Sequence, residues 1–273
     1  MVITNNLGFE GQPYLMIWLL QENLGNEDAF TPLKQALSKF EQLIHSAKVV
    51  PFVGEITPDL ETDEKVICFG AYSMRHLAKR KGWTPGVYDI EWFSYQSLIN
   101  ALGDDVLNYD SVFGKFGDIE SPYEDLFIRP ICDGKEFAGT VIARSSLRDW
   151  QERVVSLGMK DNGSTLTGDT DVMISPLKKI YNEYRYFVVD EAVVTGSQYK
   201  LGKRVVYGDT DGNIEVAQKF ADKLSNHIEH PYVLDIALTD AGYKVIELNT
   251  LNCAGFYAID VQKLVAALIE KEC

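Results

Sequence analysis

The sequence predicts an α/β lobe followed by a differently built α+β half. Three observations predict it. Apolar strands alternate with amphipathic helices as far as Gly103, hairpins around short polar turns fill the second half, and the composition suits a packed core. Of 273 residues, 46% are hydrophobic and 24% charged, too apolar for a mainly disordered chain.

Each element has a local reason. Leu15 to Gln21 is an apolar strand candidate. Leu33, Ala36, Leu37, Phe40 and Leu43 recur at helical spacing, which predicts a helix over Leu33 to Ile44. Lys48 to Val53 and Lys65 to Phe69 read as the next strands, and Gly70 turns the chain into a helix over Tyr72 to Lys81. Gly82 and Pro85 break the pattern before a helix over Trp92 to Leu102. Such alternation gives a mainly parallel sheet.

Beyond it, Asp125 to Pro130 and Glu136 to Arg144 are short strands flanking a turn at Asp133-Gly134. Leu147 to Leu157 is a helix candidate, and the small polar residues of Lys160 to Thr170 predict a mobile loop. Asp171 to Ile174 is a strand leaving through Ser175-Pro176. Tyr184 to Val189 and Ala192 to Tyr199 form a hairpin around Asp190-Glu191. Ile214, Ala217, Phe220, Ala221, Leu224 and Ile228 share a helical face. Tyr232 to Thr239 and Tyr243 to Asn249 form a second hairpin, and Asp260 can cap a last helix through Leu268.

Several function classes drop out. With 26 basic and 40 acidic side chains the net charge is −14, which repels nucleic-acid phosphates. The longest apolar run, Tyr14 to Leu20, is far short of a membrane span. MVITNNLGFE lacks the pattern of a secretory signal. Cys68, Cys132, Cys253 and Cys273 lie far apart, as for reduced cytoplasmic thiols rather than a disulfide or zinc framework. Gly196 to Lys203 resembles a P-loop with one residue too many, and Asp209 to Gly212 resembles a calcium loop with its glycine too early. The first is rejected and the second reads as a surface turn. His227 and His230 read as a solvated pair.

The second hairpin, YVLDIALTDAGYKVIELN, carries the strongest chemical signal. With Asp240-Ala241-Gly242 as a three-residue loop, Thr239 opposes Tyr243, Ala237 opposes Val245, and Asp235 opposes Glu247. Alternation puts Asn249 on their face, leaving Leu234, Ile236, Ile246 and Leu248 to pack behind. Opposed carboxylates repel. Either a cation lies between them, or one holds a proton, or the face is simply solvated. An oxygen-rich set of Asp, Glu and Asn suits Mg²⁺ with a phosphate substrate. Upstream, Arg129 and Lys135 offer two cations, and the strand ending at Ser175-Pro176 exposes backbone groups that could read an adenine edge. Glu183 and Arg185 share a strand face, either as an ordinary ion pair or with Arg185 as a fork-shaped donor for phosphate.

This order of features resembles the ATP-grasp superfamily. The matching runs are ISPLKKIYNEYRYFVVDEAVVTGSQYK and YVLDIALTDAGYKVIELNTLNCAGFYAID. FIRPICDGKEFAGTVI further resembles its arginine-to-lysine clade, found often in phages and bacteria. The resemblance spans roughly Asp125 to Cys273, and ICFGAYS and GWTPGVY are similar to a pre-ATP-grasp lobe. It implies a pre-ATP-grasp-like α/β domain over 1–122 and two ATP-grasp subdomains, 123–182 and 183–273, that clamp ATP. Arg129 and Lys135 would contact phosphates, Ser175, Pro176 and Leu177 would form the adenine hinge, and Glu183, Lys200 and Leu248 would complete the nucleotide site. Asp235, Glu247 and Asn249 would hold Mg²⁺, with Arg185 and Arg129 acting on the transferred phosphoryl group. Arg129 stands where the superfamily usually has a phosphate lysine. Lys160 to Thr170 would be a lid, and Asn252 and Tyr257 would face the acceptor.

The implied activity is an ATP-dependent carboxylate–amine ligase joining a small-molecule or peptide acid to an amine, in bacterial or phage-infected cytoplasm. A homodimer is open, and neither nucleic acid nor membrane is expected. The alternatives are a kinase-like phosphotransferase of the same fold and a non-catalytic acidic nucleotide-binding protein.

Overall fold

The computed structural model describes residues 16–24, 30–50, 55–132, 136–157, 165–208 and 213–273. They form two compact units. One gathers the described residues up to Tyr88 with 252–255 and 260–273, and the other gathers 89–251 with 256–259. Among the described residues, no helix is long and apolar enough to cross a membrane.

The first unit contains β1 (Ile17–Gln21), α1 (Thr31–Lys39), β2 (Leu43–Val49), β3 (Ile56–Thr57), β4 (Val66–Phe69), α2 (Met74–Lys81) and β5 (Pro85–Gly86). Its sheet runs β3-β2-β1-β4-β5, parallel except for β3. Leu19, Val66 and Cys68 pack with Met74, Leu77 and Ala78 of α2. Trp18, Leu20, Ile67 and Phe69 alternate to the other face and are fully buried. Both faces are thus covered, as a parallel sheet requires. The last helix, Val261–Glu272, packs against α1, and the Asp260 carboxylate caps it by accepting from the N–H groups of Gln262 and Lys263.

The helix expected over Leu33 to Ile44 stops at Lys39. Glu41 takes a left-handed φ of +54°, after which Leu43 and Ile44 enter β2 in register with Ile17 and Trp18. The apolar spacing runs on because β2 supplies its own apolar residues. The strand expected over Lys48 to Val53 is this strand placed too late, and 51–54 lie outside the described residues. Asn252 is buried: its Nδ2 donates to the Cys68 carbonyl at 2.7 Å and its Oδ1 accepts from the Tyr88 N–H at 2.9 Å. It joins β4 to the segment that follows β5, with both ends of its amide engaged.

The second unit opens with α3 (Tyr95–Leu102), capped where Ser94 Oγ accepts from the Ser97 N–H. Then come β6 (Val112–Lys115), β7 (Asp125–Pro130), β8 (Thr140–Ala143), α4 (Arg144–Leu157) and β9 (Asp171–Pro176). They form an antiparallel sheet in the order β6-β9-β7-β8. The strand expected over Glu136 to Arg144 is shorter, because Arg144 already begins α4. The turn at Asp133-Gly134 and much of the expected mobile loop, 160–164, lie outside the described residues.

The second antiparallel sheet, β12-β11-β10-β13-β14, is built from β10 (Ile180–Val189), β11 (Ala192–Leu201), β12 (Arg204–Gly208), β13 (Tyr232–Thr239) and β14 (Gly242–Thr250). α5 (Ile214–Leu224) packs on it through Ala217, Phe220, Ala221 and Leu224. Asp190 and Glu191 turn β10 into β11 with φ of +47° and +66°, the left-handed pair that a two-residue hairpin loop needs. Gly196, part of the near-P-loop, lies inside β11 over Tyr186, where a Cβ would fall 2.3 Å from Cδ1. The turn expected at 209–212 lies outside the described residues.

The β13–β14 hairpin differs instructively from expectation. Gly242, with φ of +87°, pairs with Thr239, so the loop is Asp240-Ala241 and Leu238 opposes Tyr243. A β-bulge then inserts Ile246 between the pairs Ile236–Val245 and Asp235–Glu247. The two one-residue departures cancel. The carboxylates therefore oppose each other as read from the sequence, but Val245 is in the core where Ile246 was expected.

Two measurements test this packing. Asn252→Ala leaves a buried carbonyl and a buried N–H unpaired, and should lower the free energy of unfolding in urea by about 2–4 kcal/mol. Burial pushes the Cys68 thiol up to about 12 from its usual value near 9. Its contribution to stability should be complete below pH 9 and be lost as the pH rises through 12. Cys68→Val should flatten the alkaline fall in urea midpoint across that window.

Candidate active site

Ser197 of β11, Arg185 of β10, Asp235 of β13 and Glu247 of β14 form one row across four strands. Arg185 reaches Asp235 with two prongs, Nε to Oδ1 at 2.8 Å and Nη2 to Oδ2 at 2.7 Å. Asp235 is only 1% exposed. Asn249, two residues along the face from Glu247, donates from Nδ2 to Asp235 Oδ2 at 3.2 Å and to Glu247 Oε1 at 3.1 Å. From the other sheet, Arg129 of β7 donates through Nη1 to Glu247 Oε2 at 2.6 Å. Its guanidinium also lies 5.2 Å from the Tyr95 ring centre.

Burial pushes the Asp235 carboxyl above the ordinary carboxylate range against the pull of Arg185, and Glu247 and Glu183 push the same way. Burial opposes the charge on Arg185, but Asp235 outweighs it and the guanidinium pKa is raised. The two shifts favour opposite protonation outcomes for the pair. The two-pronged contact is that of a charged pair, and we read both groups as ionised.

A cleft of about 720 Å³ lies beside this row, between the two sheets of the second unit. Arg129, Pro176, Leu177, Glu183, Lys200 and Glu247 all line it. Phe127, Phe137 and Val141 give it an apolar wall. Lys200 Nζ pairs with Glu183 Oε1 at 2.6 Å, and Tyr199 OH donates to Glu183 Oε2 at 2.9 Å. Glu183 thus pairs with Lys200, and Arg185 with Asp235. Of the residues expected at the hinge, Pro176 and Leu177 reach the cleft, whereas the Ser175 side chain is fully buried and, among the described residues, its Oγ has no hydrogen-bond partner. Leu248 packs against the core and borders a smaller cavity beside Arg129 and Glu247. Lys135 lies outside the described residues.

The model for family 3 of the arginine-to-lysine clade of ATP-grasp domains matches residues 61–268. The chain belongs to this ATP-grasp family. Solved structures agree on the fold. The D-cycloserine synthetase DcsG is 12% identical with a TM-score of 0.63, covering 93% of this chain and 99% of that one. D-alanyl-alanine synthetase A from Vibrio cholerae O1 biovar eltor is 12% identical with a TM-score of 0.60, covering 96% and 99%. The ATP-grasp ligase PsnB, complexed with minimal precursor, is 14% identical with a TM-score of 0.54, covering 94% and 99%. Among curated proteins, none matches the sequence.

The ATP-grasp cleft also contains residues that sequence reasoning missed. Ile246 lines it because the bulge swings it out of the core. Lys178, which pairs with Asp110, lines it just past the hinge, a signal present in the run SPLKK. Tyr199 lines the cleft and stacks on Tyr257, already singled out in the sequence, which stacks in turn on Tyr207, with ring centres 5.0 and 5.3 Å apart; Tyr257 lies 5.0 Å from the Arg185 guanidinium. Tyr257 has a left-handed φ of +52°, beside an Ala258 N–H that donates to Ser197 Oγ at 3.3 Å. Nothing in the sequence signals that backbone state.

The donor set fits a magnesium ion. Two carboxylates and one amide converge within hydrogen-bonding distance of Asn249 Nδ2, and hard oxygen donors suit that ion. Turning the amide over would offer its oxygen instead. Among the described residues, no group of three His, Cys, Asp or Glu side chains is placed to hold a metal.

The Arg185–Asp235 pair makes a sharp stability prediction. Arg185→Met should cost about 3–5 kcal/mol in urea unfolding, because a buried carboxylate loses its partner. Adding Asp235→Asn should recover most of that loss. Equal losses in the single and double variants would rule out the charge explanation.

Proposed function

We propose that this ATP-grasp protein is an ATP-dependent carboxylate–amine ligase that works through an acyl phosphate. The observation carrying this reading is the row Arg185–Asp235–Glu247, with Asn249 and Arg129 attached, which meets a cleft of about 720 Å³ at Arg129 and Glu247. The two sheets, falling largely within 123–182 and 183–273, would be the arms that clamp the nucleotide. The structural neighbours include a D-alanyl-alanine synthetase and a ligase complexed with a precursor, which supports a small-molecule or peptide acid as substrate.

The chain's own residues do the following. Pro176 and Leu177 border the base, while Arg129, with Lys135, neutralises phosphate oxygens. Glu183 holds Lys200 at the cleft wall. Asp235, Glu247 and Asn249 would hold magnesium, which supplies charge neutralisation across the phosphates when bound. Arg185, fixed by Asp235, faces the transferred group. The substrate carboxylate oxygen bonds to the γ-phosphorus as the bond to the β–γ bridging oxygen breaks, releasing ADP. An amine nitrogen then attacks the acyl carbon, phosphate leaves and the amine loses a proton. Such chemistry depends on positioning and charge stabilisation more than on a protein nucleophile.

ATP with Mg²⁺, at about 100 times its dissociation constant, should raise the melting temperature by about 5 °C or more. Glu247→Ala should abolish the magnesium-dependent part of that shift. ADP should accumulate only when a carboxylate and an amine are both supplied. Steady turnover with an alcohol acceptor alone would point to a kinase instead.

A further inference from the structure

We propose that Arg129 is an exchangeable counter-cation that holds Glu247 until metal and nucleotide arrive together, so that the site takes a divalent cation only in company with a polyphosphate. This rests on the ligase reading above and adds a rule for how the site fills.

Each carboxylate of the row already carries a guanidinium. Asp235 has Arg185 and Glu247 has Arg129. The pairs differ in character. Arg185–Asp235 is two-pronged, with side chains 11% and 2% exposed, and lies within one sheet. Arg129–Glu247 is joined through Nη1, with side chains 15% and 29% exposed, and reaches from one sheet to the other. The second pair is the one that can open toward the cleft, and both its members line that cleft.

A divalent ion arriving alone would meet Glu247 already occupied by a cation. A polyphosphate arriving alone would meet two carboxylates. When both arrive, Arg129 can turn from carboxylate to phosphate while Glu247 turns to the metal. Every charge pair that opens is replaced by another. Metal and nucleotide then favour each other's binding, and the coupling is reciprocal. Asn249, which bridges both carboxylates, keeps them together through the exchange.

The experiment is calorimetric titration of the whole chain with magnesium chloride alone, and separately with β,γ-imido-ATP in excess magnesium. Arg129→Met and Arg129→Gln should bind magnesium alone at least about fivefold more tightly than the wild type, while losing affinity for the nucleotide analogue. Arg129→Lys, which keeps a cation, should bind magnesium alone as weakly as the wild type. Two neutral replacements are used so that misfolding of one leaves the other decisive. If neither neutral variant gains magnesium affinity while the wild type still binds the analogue, the exchange is wrong and the ligase reading stands. If the wild type binds no analogue even in magnesium, both fall.

Discussion

The site depends on a single buried charge. Asp235 is the central member of its row, with Arg185 on one neighbouring strand and Glu247 on the other. Placing a carboxylate at 1% exposure is costly unless cations and hydrogen bonds surround it. The surroundings follow from that requirement. Arg185 faces it across the β10–β13 ladder, Asn249 leans over from β14, and the β-bulge in β14 brings Glu247 rather than Ile246 opposite. The same constraint gives chemical capacity, since a set of groups arranged to neutralise one another can be re-partnered by an ionic ligand.

This local balance contrasts with the whole chain, whose net charge is −14. Arg129, Lys178 and Lys200 line one cleft, each paired with an acidic side chain, and the Arg185–Asp235 pair lies next to Glu247 on its wall. An anionic ligand would therefore meet a cleft whose cations are already matched, within a protein that repels anions at long range. Specificity in such a setting comes from geometry near the cleft more than from attraction at a distance.

Legibility in the sequence follows physical locality. Strand alternation and polar turns exposed the two large hairpins, and the Asp235–Glu247 opposition was readable because two register departures cancelled. The bulge itself was not, since no residue in KVIELN distinguishes a regular ladder from one with an extra member. β12 escaped because Val205, Val206 and Tyr207 are all exposed, which erases the period-two signal. The Arg129–Glu247 contact spans 118 residues and two sheets, so no spacing rule could reach it. Leu43 and Ile44 misled because a strand can begin on the phase of the helix before it.

The first unit is assembled from opposite ends of the described chain. Its sheet is complete by Gly86, yet α1 packs against a helix that begins only at Val261, and Asn252 joins Cys68 to Tyr88. During synthesis on a ribosome, that early sheet must wait for more than half the polypeptide before its last partner emerges. Its apolar flank is then a natural client surface for chaperones, and nascent chains stalled before Val261 would be the species most prone to aggregate.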